Sequence, residues 1–349
     1  MNNQQINKST TLKDAMKALN ENIVKCLMVV DRKNKFVGTV TDGDIRRGIL
    51  DGLKLSSSIL KCTNLNPITF NKKNSNKDAL KFFADNDISL IPVLNDNGIV
   101  VDYFSSINEN EKDNKRILRN ISTVIMAGGK GTRMEPFTSI LPKPLIPIKN
   151  KPIIEHIIEK FYSAGSNKFY ISTNYKSKLL KAYFYDTKNK YSIEYLDEKK
   201  PLGTAGSLRL LEKKTRESFF VTNCDILVNL NYADLYDFHQ TNNYELTIVA
   251  SLSEFSIPYG TLKLLKNGDL QKIDEKPNLS YLINTGLYIL KPSVLELIPK
   301  NKLFDMTDLI KKIKSKGKSI GVYPINEDSW SDVGEWNEFK KTERKFTVR

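Results

Sequence analysis

In LKDAMKALNEN, residues 12–22, apolar side chains fall at positions 12, 15, 16 and 19, the spacing of one face of an α-helix. Two short β-rich runs follow, CLMVV at 26–30 and FVGTV at 36–40. The pattern predicts a unit of helix, strand, turn, strand and helix. It returns 64 residues later without a gap: LKDAM (12–16) aligns with NKDAL (76–80), CLMVVD (26–31) with LIPVLN (90–95), and KFVGTVTDGD (35–44) with IVVDYFSSIN (99–108). Two copies are too few for a solenoid, in which about three or more units must stack to close a core. They suit a pseudo-symmetric pair packed face to face.

A polar, highly charged run, ENEKDNKRILRN at 109–120, reads as a linker. A strand then starts at Ser122, and strands alternate with helices: STVIMA, KPIIEHIIEKFYSAG, KFYISTN, KSKLLKAYFYD, SIEYLDE, GTAGSLRLLEK, FFVTNCDIL, NYADLYDFHQ, ELTIVASL. Pro152 is expected at a first helical position and Gly165 just past the end of the same helix. This alternation predicts an α/β fold with a mostly parallel sheet covered by helices on both faces. After Leu252 the pattern changes to a hairpin around Asn267-Gly268, so the sheet becomes mixed. The expected organisation is residues 1–116, with copies at about 6–52 and 66–110, followed by a domain at 121–349. Ligands in such sheets bind beyond the carboxyl ends of the strands.

Composition narrows the function classes. No apolar run is long enough to span a membrane, and the polar N-terminus lacks the apolar core of a secretory signal. Cys26, Cys62 and Cys224 are scattered, with no C-x-x-C spacing. That predicts a reduced, cytoplasmic setting without structural zinc or a membrane role. The net charge of +14 comes from lysines dispersed among asparagines and isoleucines. The densest basic run, DLIKKIKSKGK at 308–318, reads as a solvated helix face, and no aromatic stacking platform accompanies the charge. Small polyanionic substrates are therefore expected, and nucleic acid is not.

The candidate chemistry starts at IMAGGKGTRMEPFTSILPKPLIPI, residues 125–148. It fits neither the dinucleotide fingerprint nor the P-loop. Gly128, Gly129 and Gly131 follow the end of a buried strand, where their open backbone can form an anion-binding nest beside Ala127 and Thr132. Lys130, Arg133 and Lys143 add charge: Arg133 can grip two phosphate oxygens, and Pro142 and Pro144 stiffen the backbone around Lys143. KPLGTAGSL (200–208) places Gly203, Thr204 and Ala205 at a helix start, which favours anions. VTNCDILV (221–228) carries Asp225 on a β-rich run, an expensive place for a carboxylate unless it is paired or holds a metal. WSDVGEW (330–336) carries Asp332, which could also cap the helix VGEWNEF.

Two resemblances organise these motifs. Residues 6–108 resemble a pair of CBS domains, most specifically in GTVTDGDIRRGIL. The resemblance implies that Thr41 and Asp44 contact the phosphate and ribose of an adenine nucleotide, and that the chain forms a homo-oligomer. At the matching positions of the second copy stand Ser105 and Asn108, so that site has lost its carboxylate. A purely structural pair is the other reading. Residues 121–349 resemble the sugar-1-phosphate nucleotidyltransferases, and 125–148 is that family's signature almost unchanged. This implies a Rossmann-like, mostly parallel mixed sheet of the nucleotide-diphospho-sugar transferase type.

The same resemblance assigns roles. It implies a magnesium-dependent reaction of a nucleoside triphosphate with a sugar-1-phosphate, releasing pyrophosphate. Such chemistry requires charge neutralisation and alignment more than acid–base groups, so His156, read as a surface residue, and His239 are not needed. Arg133 and Lys143 neutralise the triphosphate, and Asp225 and Asp332 bind Mg2+. Cys224 stands where relatives mostly have glycine. Gly203, Thr204 and Ala205 lie against base and ribose. Lys276 holds the sugar's phosphate, with Tyr259, Gly260, Glu275, Asn284, Thr285 and Gly286 around the sugar. The CBS fusion resembles bacterial guanylyltransferases that activate glucosamine-1-phosphate for legionaminic acid synthesis and flagellin glycosylation. Alternatives are a mannose-1-phosphate guanylyltransferase, a uridylyltransferase, and an inactive nucleotide sensor in which the transferase fold only binds ligand.

Overall fold

The 64-residue repeat is visible strand for strand in the computed structural model, which describes residues 4–22, 24–71, 73–86, 88–106, 118–185, 190–335 and 339–340. The chain forms two compact units: Met1–Asn110 with Ser251–Ile283 and Pro324–Asp328, and Glu111–Ala250 with Asn284–Tyr323 and Ser329–Arg349.

In the first unit, β1 (Gln5–Asn7), α1 (Leu12–Glu21), β2 (Cys26–Val30), β3 (Phe36–Thr41) and α2 (Asp42–Leu50) make the first copy. The second has β4 (Phe70–Asn71), α3 (Asn76–Asp85), β5 (Leu90–Leu94) and β6 (Val100–Ser105). Each sheet pairs its first two strands in parallel and its last two antiparallel. Even the register irregularity recurs, at Val29/Val30 and again at Val93/Leu94.

The apolar positions predicted for α1, Leu12, Ala15, Met16 and Leu19, are all buried. They pack with Leu27 and Val29, which point to one side of β2. Cys26, Met28 and Val30 point to the other and cluster with Leu90 and Val100 of the second copy. The copies also meet at a bridge between Lys35 and Ile99, equivalent positions in the repeat. The expected boundary near residue 116 leaves out Ser251–Ile283. That segment belongs here because Leu252 packs on the first copy's core and Glu254 pairs with Lys13. Asn108 and most of the 109–120 linker lie outside the described residues.

The second unit is built on a seven-stranded sheet, three of whose strands, at 246–256, 278–290 and 320–326, begin or end in segments of the first unit. Its strands are β7 (Ser122–Met126), β8 (Lys168–Thr173), β9 (Ser192–Asp197), β10 (Phe219–Asn223), β12 (Leu246–Ser256), β15 (Asn278–Leu290) and β16 (Ile320–Asn326), in the order β9-β8-β7-β10-β15-β12-β16. The first four in that order are parallel, and β15 runs antiparallel to β10. Central β7 is buried at every position. Helices Ile153–Ala164 and Tyr232–Thr241 cover the sheet with apolar faces. The first starts one residue later than expected, with Pro152 as its cap, and ends at Gly165 with φ +117°, a backbone setting glycine adopts without strain. Three smaller pairs complete the list among the described residues: Pro147–Ile148 with Lys151–Pro152, β11 (Ile226–Val228) with β17 (Trp330–Asp332), and the hairpin β13 (Thr261–Leu264) with β14 (Leu270–Asp274). Among the described residues, no helix is long and apolar enough to cross a membrane.

Candidate active site

Strand β7 delivers the glycine loop to the carboxyl edge of the sheet. Ala127 donates its amide to the backbone and hydroxyl of Ser172 on neighbouring β8. Gly129 opens onto free space, whereas Gly128 and Gly131 are glycines because other groups pass close. A Cβ at Gly128 would lie 2.7 Å from Glu198 Oε1. One at Gly131, where φ is +69°, would lie 3.0 Å from the Lys143 side chain. Thr138 locks the turn by donating to the Gly131 carbonyl, 2.9 Å. Lys143 then leaves a short 3-10 turn between Pro142 and Pro144, already buried.

Pairing of β11 with β17 brings Ile226 opposite Asp332, and the Val333 amide donates to the Asp225 carbonyl, 2.8 Å. Two aspartates 107 positions apart thus become neighbours. Lys143 Nζ is ion-paired with Asp225 Oδ2, with side chains only 10% and 13% exposed. Gly334 is the centre of this group. A Cβ there would lie 2.6 Å from Asp225 Oδ2, 2.8 Å from Lys143 Nζ and 2.9 Å from Asp332 Oδ1. Burial pushes the Asp332 carboxyl above the usual range, and the Asp225 charge adds to it. The Gly334 amide, 2.7 Å from Oδ1, and the cations Lys143 and Arg133 oppose the rise.

This donor set fits a magnesium ion. Magnesium is commonly held by one or two carboxylates together with substrate phosphates, not by a complete protein cage. Two convergent carboxylates in a cradle that a single methyl group would fill meet that description. Among the described residues no cluster of three or more His, Cys, Asp or Glu forms a full metal cage. Cys224, between Asn223 and Asp225, is a packed, inert thiol whose pKa burial pushes up to about 12.

Arg133 stands 60% exposed in a 3-10 turn and is held by Glu335, 2.7 Å away. That hydrogen bond raises the guanidinium pKa, and Asp332 and Asp225 act in the same direction. Glu335 and Glu198 are acidic residues near this group that no sequence motif singles out. Glu198 is half-buried, accepts from the Leu202 amide at 3.0 Å, and is pushed above the usual carboxyl range by burial.

The LGTAG turn departs from expectation. Its helix is only Gly203–Gly206, and three of its four amides are already used. Thr204 donates to Asp305 Oδ1 at 2.9 Å, and Ala205 and Gly206 donate to the Phe304 carbonyl. The free helix N-terminus invoked for anion binding is absent because the chain's own 304–305 segment fills it. His156 is likewise not a free surface residue: it is half-buried with Nε2 3.1 Å from the Ile148 carbonyl oxygen. His239 is fully buried between the hydroxyls of Thr247 and Ser218, and burial lowers its pKa to about 4.

The expected sugar-side residues fall in two groups. In the first unit, Gly260 faces Glu275, whose Oε2 would lie 2.9 Å from an added Cβ, and exposed Lys276 holds a left-handed φ of +44°. Tyr259 there is 75% exposed. In the second unit, Gly286, with φ +85°, lies against the Asn223 side chain. Asn284 accepts from the Gly286 amide, and Thr285 is buried and bonded to the Val249 carbonyl. The CBS pair Thr41 and Asp44 form a capping box for α2: Thr41 amide and hydroxyl donate to Asp44 Oδ2, and the Asp44 amide returns to Thr41 Oγ1. The cap proposed for Asp332 concerns a helix partly outside the described residues; Asp332 itself ends β17.

Known proteins resemble this chain over much of its length. Mannose-1-phosphate guanyltransferase of Yarrowia lipolytica is 36% identical over 226 residues, covering 62% of this chain and 61% of that one. Mannose-1-phosphate guanylyltransferase catalytic subunit beta of Dictyostelium discoideum is 34% identical over 228 residues, covering 63% and 62%. The chain thus spans a little over three-fifths of the length of these curated relatives. The crystal structure of HddC from Yersinia pseudotuberculosis superposes with a TM-score of 0.51 at 25% identity, covering 65% of this chain and 99% of that one. A CBS domain model matches residues 4–51, the first copy of the repeat. The nucleotidyl transferase model matches residues 122–348, which contain the glycine loop, Lys143 and both aspartates. The chain belongs to the nucleotidyl transferase family, in the nucleotide-diphospho-sugar transferase fold, and carries an N-terminal CBS domain.

Proposed function

We propose that this protein transfers a guanylyl group from GTP to a sugar-1-phosphate, forming a nucleotide sugar and pyrophosphate. The observation that carries this reading is the convergence of Lys143, Asp225 and Asp332 on Gly334 beyond the glycine loop. A phosphate oxygen of the sugar-1-phosphate attacks the α-phosphorus in line. The new P–O bond forms as the α–β bridging P–O bond breaks, and the electron pair leaves with pyrophosphate. Two anions must approach for this, so the protein's task is neutralisation and alignment. The nest at Gly128–Gly131 presents backbone amides to the triphosphate. Arg133, released from Glu335, and Lys143, released from Asp225, turn to the β- and γ-phosphates and the leaving group. Asp225 and Asp332 would hold magnesium, which when bound would neutralise phosphate charge. Lys276 holds the acceptor phosphate, with Tyr259, Gly260, Glu275, Asn284, Thr285 and Gly286 around its sugar.

The relatives' names favour guanine as the base and mannose-1-phosphate as the acceptor. Glucosamine-1-phosphate, for legionaminic acid synthesis, is the second reading, favoured by the fused CBS module. Pyrophosphate release, measured for four nucleoside triphosphates crossed with both sugar phosphates and with and without magnesium, tests the proposal. Fastest turnover with GTP and magnesium is expected. No release with any pairing would leave a nucleotide sensor instead. The CBS pair is proposed to bind an adenine nucleotide through Thr41 and Asp44.

A further inference from the structure

Exposed apolar surface is concentrated in one short segment. Of 22 large apolar side chains standing exposed among the described residues, ten lie between Phe255 and Leu282. Four of them belong to the hairpin formed by β13 and β14. Leu262 pairs with Ile273, Lys263 with Lys272, and Leu264 with Leu270. Directly opposed residues share a face and successive pairs alternate. One face of the hairpin is therefore aliphatic, and the other carries the two lysines. The register irregularity at Lys263/Leu264 matters here. Leu270 and Ile273 are three apart and would otherwise point to opposite sides; one extra residue re-aims Leu270 onto the aliphatic face.

That face stands in water. Leu262, Leu264, Leu270 and Ile273 are 60%, 61%, 57% and 60% exposed. A two-stranded hairpin is marginal by itself in water, and scattered apolar residues do not explain four on one side of a ribbon. We propose that this aliphatic face of residues 261–274 is where two copies of the chain pair, ribbon against ribbon about a two-fold axis.

Charge and size favour a second copy as the occupant. The chain carries +14, so copies repel unless they meet through a neutral surface, and none of the four side chains is charged. An identical face is self-complementary, as a two-fold contact requires. Two such faces brought together remove on the order of 1,000 Å² from water, the threshold for a specific interface. Lys263 and Lys272, opposed on the other side, keep that side solvated and limit pairing to one face. The inference does not depend on the enzymatic reading.

The test is the molar mass of the full chain in solution at micromolar concentration, by sedimentation or light scattering. Wild type is expected at an even multiple of the 39.8 kDa chain. The double variant Leu264→Lys/Ile273→Lys is expected to halve that mass, whether or not the CBS modules associate as well. Its far-UV circular dichroism spectrum should match that of the wild type, because both positions are exposed in the single chain and the fold does not need them. Lys263→Ala, on the opposite face, should leave the mass as in wild type. A monomeric wild type, or a double variant of undiminished mass, overturns the proposal.

Discussion

Two clusters of polar side chains in this molecule look alike in sequence and differ in physics. At the start of α2, Thr41 and Asp44 satisfy each other and the helix amides in a closed capping box. Around Gly334, Asp225 and Asp332 place two carboxylates within reach of one point, with a single buried lysine between them. The first cluster is complete without a ligand, since every hydrogen bond it makes stabilises the helix. The second is strained electrostatically, since like charges are held together and burial disfavours the ionised form of Asp332. A cluster that spends stability in this way is where ligand chemistry is expected.

That contrast can be broken by mutation. Losing one preorganised charge donor costs about 2.7–4 kcal/mol at a developing anion. Arg133→Ala, Lys143→Ala and Lys276→Ala should therefore each lower kcat by roughly a hundred- to a thousandfold. Circular dichroism should show the fold retained for the exposed Arg133 and Lys276; turnover within a few-fold of wild type would remove these residues from the mechanism. Asp332→Asn should lose activity on a similar scale while raising the melting temperature in chelator, because it removes one of two buried like charges. A lower melting temperature would mean that the pair is not strained.

Gly334→Ala tests the geometry alone. Its methyl group would push apart Lys143, Asp225 and Asp332, and misplacement by about 1 Å can cost roughly a hundredfold in rate. Full activity in a steady-state assay would show that the three need not converge.

Satisfied groups should respond differently. His239 is neutral between two hydroxyls with its pKa lowered from 6.5 to about 4. The unfolded chain therefore binds the proton first. Stability is full above pH 6.5 and falls by about 3 kcal/mol as the pH drops to about 4. Urea unfolding across that range should show the loss, and His239→Gln should flatten it. At the capping box, Thr41→Ala should cost about 1 kcal/mol of stability. Thermal shifts of the full chain with AMP, ADP and ATP then sharpen the comparison. A shift in wild type that Thr41→Ala abolishes would make the cap a ligand site as well; equal shifts in both would confine Thr41 to capping.

Much of the fold was legible because it is written in local periods. The apolar spacing of α1 matches its buried face, and the 64-residue offset matches the two sheets strand for strand. The glycine loop and Pro-Lys-Pro were legible because they are contiguous. Glu198 and Glu335 were not, since a single acid on an ordinary segment carries no pattern. The helix-terminus argument at Gly203–Ala205 failed for a related reason: its amides are taken by Phe304 and Asp305, about a hundred residues away.

Sequence alone determined the order of elements, the duplicated module and the glycine loop that follows β7, because side-chain periodicity and glycine–proline chemistry act between near neighbours. Only the tertiary structure decided that Asp225 meets Asp332, that the 304–305 segment takes the amides of the Gly203–Gly206 turn, and that an aliphatic ribbon is left in water. Those outcomes depend on strand register and on which distant segment reaches a group first, and no local pattern encodes either.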